Sequence, residues 1–135
     1  DATNVETDTS NYVKGGGSVS FDLSGAATTA GIYNTSVNSF DISDYTNDGS
    51  VFVWVYINST TNLTNWILNV GNDLTTNYYS WTGATTDANG NSFVNGWNLL
   101  RFDFVNATEN GTVTDTAIDS VRIYDKDIRK VRRWV

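Results

Sequence analysis

The 135-residue chain contains no cysteine, histidine, methionine or proline, and its only glutamates are Glu6 and Glu109. Without cysteine there are no disulfides and no thiolate chemistry. Without histidine or cysteine, serine triads, Cys–His pairs and histidine-ligated zinc are excluded by composition. No apolar run approaches the roughly 18 residues that a membrane-spanning helix needs. A formal net charge of −7 argues against nucleic-acid binding by the body of the domain. The chain opens on Asp1, and the expectation is a processed chain or a piece of a longer one.

What is present is strand and turn. "SVSFDL" places Val19, Phe21 and Leu23 on one face and Ser18, Ser20 and Asp22 on the other. "NLLRFDF" predicts Leu100, Phe102 and Phe104 inward, with Arg101 and Asp103 outward. "IDSVRIYD" supplies Ile118, Val121 and Ile123, with a one-residue slip after Asp119. "WILNV" and "NYYSWT" are two more strand candidates, and "AGIYNTSV" and "SFDI" are weaker ones. Between them lie "KGGGS", "NDGS", "VGNDLTTN", "DANGNS", "VNGW" and "ENGT", all rich in turn formers. No window of helical length carries an apolar 3.6-residue period. Roughly seven to nine short strands at ten-residue intervals predict an all-β, two-sheet antiparallel sandwich in one domain.

"VFVWVYI", residues 51–57, is apolar on both faces. Either Phe52, Trp54 and Tyr56 fill the core, or Val51, Val53, Val55 and Ile57 do. In the second case the aromatic rings form an outer platform of the kind that stacks on the C–H face of a pyranose. Trp66, Tyr78, Tyr79 and Trp81 extend either arrangement. The residues assigned to a carbohydrate platform are Trp54, Tyr56, Tyr79 and Trp81.

Charge is uneven. Lys126, Arg129, Lys130, Arg132 and Arg133 are five of the eight basic residues. With Asp127 they give residues 126–135 a charge of +4, which leaves −11 on the rest of a −7 chain. The expected boundary therefore lies after Asp125: a sandwich over 1–125, then a basic tail that serves as a linker or docks a partner through Arg129, Arg132, Arg133 and Trp134. Sequons occur at Asn34, Asn58, Asn62, Asn106 and Asn110. Roughly four are expected by chance from this composition, so they carry no evidence of glycosylation.

Four segments together resemble the jelly-roll carbohydrate-binding modules of the galactose-binding-like class. "YVKGGGSVSFDLSG" is similar to their glycine turn and "GSxxF" strand, and "FDISDY" with "SVFVWVYI" to their "DxSxY…fWvy" segment. "NGWNLLRFDF" resembles their "GWn" strand, and "AIDSVRIYD" their closing "IDxVxI" strand. The resemblance runs from Tyr12 to Asp125 in the family's order. It implies a jelly-roll sandwich and a non-catalytic carbohydrate-binding or adhesion role in a larger extracellular, cell-surface or virion protein. The alternative is a structural module of a virion, fibre or surface layer whose partner is a neighbouring protein subunit, within a multidomain or repeated assembly. The fold alone does not choose between them. The "ExDxxE" strand of related jelly-roll glucanases is absent, so two-carboxylate glycoside chemistry is not expected. The resemblance also implies a structural calcium held by Glu6, the Lys14 carbonyl and Asp119; the other reading of these acids is local solvation and backbone bonding. "DANGNS" lacks a closing glutamate and reads as an Asn89-Gly90 turn rather than an EF-hand loop.

Overall fold

The computed structural model describes residues 2–10, 12–23, 29–61, 63–126 and 132–134. Its strands are β1 (Ala2–Asp8), β2 (Ser18–Leu23), β3 (Thr29–Asn34), β4 (Ser50–Ile57), β5 (Asn65–Asp73), β6 (Asn77–Ser80), β7 (Gly96–Asp103), β8 (Thr108–Asn110), β9 (Ser120–Lys126) and β10 (Arg132–Trp134). Short 3-10 turns at Phe104–Asn106 and Asp115–Ala117 are the only helical elements among the described residues.

The strands form two five-stranded sheets, ordered β1-β2-β10-β4-β7 and β3-β9-β5-β6-β8, with every pairing antiparallel. The pairings are nested. β2 meets β10, β3 meets β9, β4 meets β7 and β5 meets β6, while β10 also meets β4 and β9 also meets β5. This is a long hairpin rolled into two sheets, the connectivity of a jelly roll. β1 and β8 add one strand to an edge of each sheet.

Period-two patterning decides what enters the space between the sheets. β4 turns Val55 and Ile57 fully inward, and Val51 and Val53 pack on the same core. The core reading of Phe52, Trp54 and Tyr56 is thereby overturned: four aliphatic side chains of one parity close the gap, so the aromatic parity must face out. On β7, Leu100 and Phe102 are buried, followed by Phe104, while Arg101 is exposed, as the alternation predicted. β5 supplies Trp66, Leu68 and Val70, and the segment around β9 supplies Ile118 and Ile123.

The aromatic centre of the core is built from Trp81, Tyr79, Phe102 and Phe104. Trp81 lies 5.1 Å from the Phe104 ring and 5.9 Å from Phe102, and Tyr79 meets Phe104 edge-on at 5.4 Å. Each polar handle is satisfied, because the Trp81 indole donates to the Asp103 carbonyl at 2.7 Å and the Tyr79 hydroxyl to Asp115 at 2.9 Å. Burial, reinforced by Asp115, pushes the Tyr79 hydroxyl pKa far up.

The expected boundary after Asp125 needs correction. β9 runs through Lys126, and residues 132–134 form an inner strand between β2 and β4. Arg133 stands opposite Phe21 and Ile57, and Trp134 opposite Ser20 and Tyr56. The physical reason is backbone pairing. A jelly roll that ended at β9 would leave the facing edges of β2 and β4 unpaired in the middle of a sheet, and a strand fills that gap whatever its charge.

Candidate functional site

The outer face of β4 and β7 carries the concentration of exposed aromatic surface. Across the strand pair, Phe52 stands opposite Arg101, Trp54 opposite Leu99 and Tyr56 opposite Trp97. Same-face neighbours along a strand recur about every 6.8 Å, so the three β4 rings form a straight row. Phe52 is 54% exposed and Trp54 43%. Tyr56 is half-buried because Trp97 meets its ring edge-on, with centroids 5.4 Å apart at 83°.

Polar groups flank the row at the Phe52 end. The Arg101 guanidinium lies 6.0 Å above the Phe52 ring, and its Nε donates to Asp103 Oδ1 at 2.6 Å. The Ser50 hydroxyl donates to the same oxygen. The Ser50 bond first, and then Arg101, hold the Asp103 carboxyl below the ordinary carboxylate range. Asp103 is thus ionised at neutral pH and keeps the arginine beside the rings. At the other end, Asn98 is buried and accepts from the Val94 N–H while donating to the Val94 and Gly96 carbonyls. Gly96 enters β7 at φ +112, a left-handed value that favours glycine. Asn95 Oδ1 accepts from the Thr60 N–H. β7 is an edge strand, and the turn expected at "DANGNS" covers part of it. Asp87 Oδ1 accepts from the Asn89 and Asn91 N–H groups, and the Ala88 N–H donates to the Leu99 carbonyl. The rings therefore sit on a braced strand pair rather than on a loop.

The structure divides the four platform residues. Trp54 and Tyr56 lie on the outer face, whereas Tyr79 and Trp81 are corrected to core, Trp81 being only 3% exposed. Tyr79 pairs with Val70, and Trp81 bonds to the Leu68 backbone, so both share the inward parity of β5. Sequence reasoning missed Trp97 and the Arg101–Asp103 pair as members of the face. Their signal was present: outward positions of "NGWNLLRFDF" come opposite "FVWVY" once β4 and β7 are paired. Of the docking residues, Arg129 lies outside the described residues, and Arg132, Arg133 and Trp134 are placed by backbone only, in β10.

The residues implied for calcium come from three different segments. Glu6 is exposed on β1 of one sheet, Lys14 is in the turn before β2, and Asp119 precedes β9 of the other sheet and accepts from the Ser120 hydroxyl. Among the described residues no three acidic, histidine or cysteine side chains gather around a common point.

Neither a scan of protein-family models nor a search of curated proteins returns a match for this chain.

Proposed function

We propose that this chain is a non-catalytic carbohydrate-binding or adhesion module of a larger extracellular or surface protein, and that it holds a saccharide against the outer face of β4 and β7. The observation that carries this reading is the outward-facing row Phe52–Trp54–Tyr56, of which Phe52 and Trp54 are exposed, flanked by the paired Arg101 and Asp103. A sugar ring presents C–H groups on its faces and hydroxyls at its rim. The aromatic faces meet the former, while a guanidinium and a carboxylate donate to and accept from the latter. Holding the rings on a braced strand pair limits the ordering cost of binding. The composition supports binding without turnover, since histidine and cysteine are absent and acidic side chains such as Asp41, Asp73 and Asp87 are engaged in local turns.

A glycan array probed with the isolated chain tests the proposal. Binding to a defined glycan class that is lost in Trp54→Ala is the expected result. Silence across the array, together with Trp54-dependent self-association, would replace it with the structural-module reading.

A further inference from the structure

The outer face of the other sheet carries a second, differently built feature. Tyr33 on β3, Arg122 on β9, Asn69 on β5 and Ser80 on β6 lie in one row across four strands. Asn69 is almost fully buried, and its Oδ1 accepts from Arg122 Nε at 3.0 Å. The guanidinium also lies 5.5 Å from the Tyr124 ring centroid and 5.9 Å from that of Tyr78. Tyr33, directly opposite Arg122, is 72% exposed. Beside these residues opens a hollow of about 440 Å³, lined also by Thr35, Asn72, Asp73 and Ser120.

Arg122 is unusual for an arginine in a chain of net charge −7, because among the described residues no carboxylate lies within ion-pair distance of it. Its partners are a neutral amide and neutral rings. With Nε held by Asn69 and the guanidinium beside two tyrosine rings, the side chain is restrained, and its terminal nitrogens meet no acceptor among the described residues. A planar fork of this kind matches a carboxylate in bidentate geometry.

We infer that this hollow is a second binding site, for the carboxylate of an acidic sugar: a uronic-acid residue whose carboxylate meets Arg122 and whose ring lies against Tyr33. The volume falls within the range of small-ligand sites. Asp73, on the rim, has its carboxyl held below the usual range by the Thr75 hydroxyl and N–H. Its carboxylate offers an acceptor to sugar hydroxyls at the edge of the hollow. The site is separate from the β4 face, since its residues belong to the other sheet.

The test is calorimetric titration of the chain with tetrasaccharides of galacturonate, mannuronate and a glucuronate-containing repeat, each beside its methyl ester. Tyrosine ring resonances are followed in parallel. At least one acid should bind saturably and shift Tyr33, Tyr78 and Tyr124. Esterification or Arg122→Gln should weaken it about tenfold or more, the loss expected for a charged hydrogen-bonded pair. Arg122→Lys should recover only part of the affinity. If Arg122→Gln does not fold, Tyr33→Ala at an exposed position reads the same site and should also weaken binding. Acid and ester binding equally, wild-type affinity in folded Arg122→Gln, or no saturable binding of any acid would overturn the site. Equal binding of a polyglutamate peptide would replace the sugar with a generic anion. Failure on the tyrosines leaves the β4 face standing, because that face is read on Trp54 and Trp97.

Discussion

Replacing Phe102 with alanine, beside Phe52 with alanine, tests which parity of the β4–β7 pair is core. The two residues lie one register step apart, since Phe102 stands opposite Val51 and Arg101 opposite Phe52. Phe102 is 2% exposed and packs on Trp81, which packs in turn on Phe104. Truncation removes the ring's transfer free energy and leaves a cavity that the indole fills only in part, at a cost of about 3–5 kcal/mol. That is a large share of a total stability of roughly 5–15 kcal/mol. Phe52 is more than half exposed and loses chiefly its contact with Arg101, so its truncation should cost about 0.5–1 kcal/mol. Urea unfolding reports both as shifts in midpoint at unchanged slope. A loss below about 1 kcal/mol for Phe102→Ala, or equal losses for the two variants, would refute the assignment of faces.

Asp103→Asn should remove a stabilising contribution of up to about 1 kcal/mol at neutral pH, the scale of a partly exposed ion pair. The folded carboxyl titrates below the ordinary aspartate value, so the contribution is complete above that value and is lost as pH falls through the folded one. The gap between wild type and variant should therefore close below about pH 4 in pH-dependent urea melts; a gap that persists at pH 2 contradicts the pairing. Removal of residues 127–135 should destabilise the whole domain, because it deletes the strand between β2 and β4. Each ladder bond left unmade costs on the order of 0.5–1.5 kcal/mol. An unchanged thermal melt would show that β10 is dispensable. Gly71→Ala should cost about 1–3 kcal/mol or more in chemical unfolding, because an added Cβ would stand 2.2 Å from the Asn77 carbonyl oxygen at the β5–β6 bulge. Wild-type stability would mean that the bulge relaxes.

The sequence made the sheets legible where one face is apolar and the other polar. "SVSFDL" coincides with β2, and "NLLRFDF" has the alternation observed in β7. It was ambiguous at "VFVWVYI", where both parities are apolar and only the facing sheet decides between them. Tyr79 and Trp81 were misplaced for a related reason. Ring size favours either a platform or a core, and the choice rests on the parity shared with Leu68 and Val70 across β5–β6. β10 was hidden because "RRW" carries no strand pattern of its own; its place follows from the nested pairing, a non-local demand. The Arg122 cluster was invisible for the same reason, since its members come from β3, β5, β6 and β9.

The most direct measurement of the central claim uses the indole N–H resonances of the five tryptophans during titration with a glycan selected from the array. Trp54 and Trp97 share the outer face of β4 and β7, whereas Trp66 and Trp81 are buried. Saturable shifts of Trp54 and Trp97, with Trp66 and Trp81 unmoved and the response lost in Trp54→Ala, are the predicted result. Glycan binding that leaves Trp54 and Trp97 unmoved would contradict the account.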